Sequence, residues 1–489
     1  MRLIDLMTCD TRIPHEARDL DIRAISASSL KTGPGDLFAA LPGMSMDGRD
    51  FISDAISRGA VAILAPTGTT LPEDAGSVIL VESAHPRRTL ALMAAALHGR
   101  QPETIAAVTG TNGKSSTVQF TRQIWARLGV RAASLGTLGI VTPTIALDSD
   151  HTTPDPDTLY ADLAKMADDG VTHLALEASS HGLDMNRIDG VRIKVAGFTN
   201  ISRDHLDYHG TPEAYLTAKS RLFTEVLDTQ GHAVLNADAP EFETIAQLCR
   251  TRGIHVLGYG RAGHDICLTG IEAEADSQRL SLRLLGRDYT IRLPLIGSFQ
   301  VENTMCALGM AMAGCRDAAA DPEKLIAALE HLTPVRGRLE MAGRTRQGAP
   351  IFIDYAHTPD AIETLLTDLR PHTRGKLVIV MGCGGNRDRG KRPMMGALSA
   401  RLADTVHVTD DNPRGEAPAD IRADILADCP GGIEIGGRAE AIRAAIAGLD
   451  ADDVLVIAGK GHEQGQIIAG SVLPFDDSDV VRNVLEEDV

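Results

Sequence analysis

Residues 110–116 read Gly110-Thr111-Asn112-Gly113-Lys114-Ser115-Ser116 and follow directly on an apolar, β-prone run at 105–109. Beyond them Val118, Ile124, Trp125 and Leu128 suit one face of a helix over 118–128. Strand, glycine loop and helix in that order make a phosphate cradle. Glycines let backbone N–H groups close on phosphate oxygens, the helix N-terminus adds a favourable dipole, and Lys114 supplies a point charge. Ser115, next after the lysine, is placed to ligate Mg²⁺. The spacing departs from the strict G-x-x-x-x-G-K-[ST] pattern, because Val108 stands where the first glycine would be. The plain alternative, a turn that merely caps a helix, is disfavoured by lysine, serine and context together.

Other chemistry-bearing residues fall just after further apolar runs. Glu177 opens EASSHGLDMNR, TNISRDHLDYHG carries His205, and Lys219 lies in AYLTAKSRLF. Singly, Glu177 reads as a helix cap, His205 as a satisfied polar histidine and Lys219 as a solvated helix residue. A phosphate loop changes the weighing, because nucleotide phosphates bring Mg²⁺, which takes hard oxygen ligands from carboxylates and hydroxyls. Glu177 and Ser115 can supply them. Arg187 is suited to hold a carboxylate or pyrophosphate with both arms of its guanidinium. In the last third, three segments carry GCGGNRDRGKR (382–392), DDNPRGEAP (410–418) and AGKGHE (458–463). GCGG alone is a weak signal, and Arg387, Arg389, Lys391 and Arg392 read together as a solvated charged face.

The elements that must position these residues are short Val/Ile/Leu/Ala runs alternating with longer amphipathic stretches. Strands are predicted at 61–65, 105–109, 171–176, 195–199, 377–381, 406–409 and 454–458. Several end in Gly-, Asp- or Asn-rich turns, the place where open α/β sheets bind ligands. The fold class is therefore α/β, in three domains. The central one holds a P-loop-type, mostly parallel sheet, and the C-terminal one is Rossmann-like. At 489 residues the chain exceeds one ordinary core. Gly, Pro and charge interrupt the pattern at HGRQPE (98–103) and LTPVRGR (332–338), which predicts domains at 1–98, 99–332 and 333–489. A formal net charge of −18 disfavours a nucleic-acid partner. Seven scattered cysteines without C-x-x-C spacing argue against a disulfide framework or zinc knuckle. No apolar run approaches the roughly 18 residues of a membrane span, and the N-terminal segment lacks a signal-peptide pattern, so a cytoplasmic protein without membrane insertion is expected.

GTNGKSS resembles the ATP loop of the Mur ligases and of their relative folylpolyglutamate synthase, and the resemblance extends over nearly the whole chain. It implies a UDP-substrate domain, a central ATP-binding catalytic domain and a C-terminal amino-acid domain. ATP and Mg²⁺ are then the cofactors, with ATP held by 110–116, Asn303, Arg338 and Asp354. Lys114, Glu177, His205, Lys219 and Arg338 are the catalytic set. The resemblance further implies that Lys219 is carboxylated and serves a second Mg²⁺ with His205. HTTPD (151–155) supplies Thr152 and Thr153, which with Ser179 and Arg187 face the dipeptide end of a UDP-N-acetylmuramoyl-dipeptide. Ala27, Ser29 and the loop 44–46 align with the uridine pocket beside GDLFAALPG (35–43).

The departures from the family pattern are specific. Met185 stands where some relatives carry glutamine, Ser28-Ser29-Leu30 where Asp-Ser-Arg is common, and Gln300 where asparagine is usual. Gln300 is therefore left out of the site. Asp411-Asn412-Pro413-Arg414 resembles the marker of the diaminopimelate-adding members, with Arg387, Gly459 and Glu463 as the remaining amino-acid contacts. Diaminopimelate has a second carboxylate that lysine lacks, and a guanidinium offsets its desolvation through paired charge-assisted hydrogen bonds. Facing lysine, the same arginine would be unpaired. The resemblance thus implies amide ligation by a monomer, with ATP, the UDP-dipeptide and meso-diaminopimelate as substrates. Its rivals are a lysine-adding ligase, folylpolyglutamate synthase, and a P-loop switch or motor without ligase chemistry.

Overall fold

A computed structural model of the chain describes residues 1–43, 46–147, 151–274, 277–315 and 321–487. Met44 and Ser45, part of the loop aligned with the uridine pocket, lie outside the described residues. Strands collect in three large sheets, within 11–83, 104–293 and 340–458. The first has five strands, in the order Thr11–Arg12, Ile79–Ser83, Ala62–Pro66, Leu37–Ala39, Ile25–Ser26, parallel except at the first pair.

The second sheet has eleven strands, and its parallel centre runs His255–Gly260, His232–Asn236, Ile193–Phe198, Thr104–Thr109, His173–Glu177, Ala132–Gly136. Such strands are covered on both faces, so they read as unbroken apolar runs. Along Thr104–Thr109 the side chains alternate between two cores: Ala106 and Val108 face one, Ile105 and Ala107 the other. The first core is closed by the helices Lys114–Arg127 and Ser298–Gly314, joined where Trp125 Nε1 donates to the Ala311 carbonyl at 3.1 Å. Antiparallel strands at Gln278–Leu284 and Arg287–Leu293 extend one edge. Their period-2 alternation was open to a sequence reader but is absent from the predicted strands above.

The third sheet places Glu340–Arg344 antiparallel at one edge, followed by five parallel strands in the order Pro350–Asp354, Val454–Ala458, Leu377–Met381, Thr405–Val408, Ile433–Glu434. A fully buried Arg438–Asp477 pair at 2.7 Å ties its covering helices together. Arg438 Nη2 also donates to the Ala458 carbonyl, which anchors the strand end leading into GKGHE. Each predicted strand corresponds to an observed one within two residues. The loop helix begins at Lys114 rather than at 118, because Gly113 takes the left-handed turn and the chain is helical from the lysine onward. Among the described residues no helix is long and apolar enough to cross a membrane.

Candidate active site

Parallel register brings the strand ends together. Glu177 pairs with Val108, and Phe198 with Thr109, so Glu177, the loop 110–116 and the segment from Thr199 emerge side by side. The loop is tightly fixed. Gly110 lies at φ +151, and a Cβ there would meet Thr199 Oγ1 at 1.9 Å. One at Gly113 would meet Asn303 Oδ1 at 2.1 Å. Glycine is required at both positions. Asn200 pins the loop by accepting from the Asn112 amide at 3.0 Å through its side chain and from the Thr111 amide at 2.8 Å through its carbonyl.

These groups line a cavity of about 540 Å³ together with Thr152, Ser179, Asp204, His205, Lys219, Asn303, Arg338 and Asp354. Lys114 donates to the carbonyls of Gly110 at 3.0 Å and Thr111 at 2.7 Å, and burial lowers its pKa. Lys219 is 1% exposed. Its Nζ also donates to the Gly110 carbonyl, at 2.7 Å, and lies 4.4 Å from the Tyr215 ring centroid. Burial first and the Lys114 charge second hold its pKa well below that of an ordinary lysine. No carboxylate pairs with Lys219 among the described residues. A buried and a half-buried ammonium group on one carbonyl are costly unless an anion meets them.

Glu177, 1% exposed, accepts from the Thr137 amide at 2.8 Å and from its hydroxyl at 3.2 Å. Those bonds aim its carboxylate into the cavity. His205, at φ +53, faces Asp204 at 3.4 Å, and burial lowers its pKa. Among the described residues no three His, Cys, Asp or Glu side chains cluster as a metal site. An ion here needs oxygens from Ser115, from a nucleotide, or from a modified Lys219. The donor set of Ser115 and Glu177 beside a phosphate cradle fits Mg²⁺.

The third domain closes the cavity. Arg338 lies 4.3 Å from the Tyr355 ring centroid, and its Nη2 reaches Ser115 Oγ at 3.5 Å. Asp354 accepts from the Leu339 and Ala356 amides, both at 2.7 Å, and its burial raises its pKa. Gln300 does not line the cavity; it donates to the Arg338 carbonyl at 3.1 Å and so ties the linker to the central domain. On the dipeptide side Thr152 bonds Thr137 through their hydroxyls at 2.9 Å. Thr153 Oγ1 donates to the Glu177 carbonyl at 2.9 Å and lies 3.0 Å from Ser179 Oγ. Arg187 faces Asp155 at 3.0 Å and Met185 Sδ at 3.6 Å. Ala27 and Ser29 lie apart from this cavity, beyond the strand Ile25–Ser26.

A second constellation sits at the strand ends of the third sheet. Asn412 donates to Glu463 Oε2 at 2.8 Å. Arg414, at φ +53, donates through Nη1 to the carbonyls of Gly385 at 3.1 Å and Asn412 at 3.4 Å. Gly459 is at φ +111, beside Asp411, and Pro413 is buried. Arg387 is exposed. The reading of a solvated basic face fails at Arg392, which is fully buried against Glu416 at 3.0 Å and Asp424 at 2.9 Å. Acceptors from distant segments neutralise it.

The sequence reading passed over two residues. Thr137 holds Glu177 and has no local signature. Lys460, 0% exposed, donates to Asn412 Oδ1 and Glu463 Oε2, both at 3.2 Å, and to the Gly465 carbonyl at 2.5 Å. It lies within AGKGHE, yet only the fold shows that it joins two candidate contacts.

Three family descriptions match the chain: "Mur ligase family, catalytic domain" at 21–108, "Mur ligase middle domain" at 108–311, and "Mur ligase, glutamate ligase domain" at 337–461. It is 49% identical to a UDP-N-acetylmuramoyl-L-alanyl-D-glutamate–2,6-diaminopimelate ligase of Bradyrhizobium diazoefficiens, covering 99% of both chains. It is 50% identical to a protein of the same name from Caulobacter vibrioides, covering 96% of each. A solved structure bearing that enzyme name aligns with a TM-score of 0.71 at 32% identity, over 100% of this chain and 99% of the other.

Proposed function

The chain belongs to the Mur ligase family, and we propose that it is the ATP-dependent ligase that joins meso-diaminopimelate to the D-glutamate of UDP-N-acetylmuramoyl-L-alanyl-D-glutamate. The observation that carries this reading is the shared cavity, where the phosphate loop, Glu177 and Lys219 meet Arg338 and Asp354 of the third domain. The full-length relatives with that enzyme name support it. The proposal covers a cytoplasmic, monomeric enzyme divided at 1–98, 99–332 and 333–489, its first domain taking the uridine nucleotide through Ala27 and Ser29.

The loop amides of 110–116 and Lys114 hold the phosphates of ATP, with Asn303 and Asp354 beside the nucleotide. Thr152, Thr153, Ser179 and Arg187 orient the dipeptide so that its terminal carboxylate faces the γ-phosphorus. That carboxylate attacks, ADP leaves and an acyl phosphate forms. The diaminopimelate amine, presented by Arg387, Asp411, Asn412, Pro413, Arg414, Gly459 and Glu463, attacks the acyl carbon and loses a proton as phosphate departs. Lys114 and Arg338 stabilise charge on the transferring phosphoryl group. Mg²⁺ held by Ser115 and Glu177, with His205 and a carboxylated Lys219 for a second ion, would offset phosphate charge. Lys219 suits carboxylation, because its burial favours the neutral amine, which adds CO₂ with loss of one proton. The carbamate would then set a negative charge beside Lys114.

The test is phosphate release from ATP with the UDP-dipeptide plus diaminopimelate or lysine. Release that depends on diaminopimelate is expected. Equal or greater release with lysine would overturn the choice of amino acid, and release without any acceptor would overturn ligation.

A further inference from the structure

A second cavity of about 460 Å³ lies on the other side of Thr137 from the phosphate loop. Its walls are the helix Lys114–Arg127, the Thr137–Val141 turn, the linker at 333–336, and residues 462–464 of the third domain. Thr137 lines both cavities and is their shared wall beside Glu177 and Thr152.

The charged groups around it are paired, with one exception, and His462, which also lines it, keeps a buried Nδ1 without a hydrogen-bond partner among the described residues. Gln119 donates to Ser134, Gln123 bonds Thr333, Arg336 pairs with Asp476 at 2.7 Å, and Glu463 is held by Asn412 and Lys460. Arg122 alone lacks a matching charge. Its Nε donates to Gln119 Oε1 at 3.2 Å, and among the described residues no carboxylate pairs with its guanidinium. Burial lowers its pKa, so the cation is desolvated without compensation. A half-buried guanidinium facing a cavity without an anion is disfavoured unless a ligand supplies one.

We propose that Arg122 binds the spectator carboxylate of the substrate's D-glutamate, the one that does not become the acyl phosphate. This rests on the ligase reading above and deepens it. Charge matching selects that carboxylate. Diaminopimelate brings two carboxylates, and Arg387 and Arg414 answer them. Arg187 on the dipeptide side already faces Asp155 at 3.0 Å. On this reading a dipeptide passing Thr152 lies against the Thr137 wall, with its reacting carboxylate toward Lys114 and the other toward Arg122. Arg122 thereby selects D-glutamate over an amidated or decarboxylated residue and fixes which carboxylate is phosphorylated.

The experiment compares wild type, Arg122→Ala and Arg122→Lys on the UDP-dipeptide and on an analogue whose spectator carboxylate is amidated. Arg122→Ala should raise the KM for the UDP-dipeptide by roughly ten- to a hundredfold, the worth of a charge-assisted pair. The KM values for ATP and diaminopimelate should hold, and Arg122→Lys should recover part of the loss. Amidation should cost the wild type a similar factor and Arg122→Ala nothing further. Equal sensitivity to amidation in both proteins would overturn the proposal. A rise confined to the diaminopimelate KM would overturn it too, by assigning Arg122 to the amino acid. Melting temperatures report whether the variants fold. Absence of diaminopimelate-dependent phosphate release in the wild type would instead overturn the ligase reading.

Discussion

Replacing Arg414 by alanine separates the choice of amino acid from the ligation chemistry. The structure shows what this perturbation removes. The Arg414 amide donates to the Ile467 carbonyl at 2.9 Å, and its own carbonyl accepts from the Ala469 amide at 2.7 Å, so the backbone is held by the ribbon Gly465–Ile468/Ser471–Pro474 whatever the side chain. Its φ of +53 strains arginine and alanine alike, so the substitution adds no backbone cost. Nη1 is spent on the carbonyls of Gly385 and Asn412, while Nη2 and Nε make no bond among the described residues. Those two nitrogens form the edge that can meet a carboxylate side-on. Losing such a pair is worth about 1.5–3 kcal/mol, or roughly ten- to a hundredfold in binding, and the half-buried position places the effect toward the lower end. The KM for diaminopimelate should rise by that factor while the KM for ATP holds. Lysine, without the second carboxylate, should lose little. Arg414→Lys keeps the charge but not the planar fork, and should fall between wild type and alanine. The quantity to measure is the ratio of kcat/KM for the two amino acids. A wild type that prefers lysine, or a ratio unchanged by the substitution, would refute Arg414 as selector and leave the phosphate-loop chemistry standing.

Two further outcomes are expected. Lys219→Ala should abolish most turnover, with partial rescue by short-chain carboxylates and none by bicarbonate; full activity in the variant would contradict a carbamate at that position. Glu416 is held at about 2, against an ordinary 4.5, chiefly by Arg392 and then by the Asn386 amide. Its stabilising contribution is complete above the unfolded value and is lost as pH falls through the folded one. Denaturant midpoints compared at about pH 5 and about pH 3 should therefore drop further for wild type than for Glu416→Gln, and equal drops would show that the pair does not act on stability.

By itself the sequence determined whatever depends on neighbours along the chain. The phosphate loop was legible because strand, glycines, lysine and serine are contiguous, and the parallel strands because two buried faces require unbroken apolar runs. DNPR was legible as a segment for the same reason. Long-range pairing was not written locally. Lys219 and Lys114 lie far apart in the chain, and only the packing of their two helices puts both on the Gly110 carbonyl. Arg392 read as a solvated charge, and the fold buried it against Glu416 and Asp424. Lys460 stood inside a motif already singled out, yet its role depends on Asn412 and Glu463 arriving from two strand ends. Arg122 stands out only because the fold half-buries it against a cavity where, among the described residues, no carboxylate reaches it. Desolvation and charge pairing are properties of the assembled surroundings, so the local pattern specified the secondary elements and tertiary structure alone decided which charges are met and which still await a ligand.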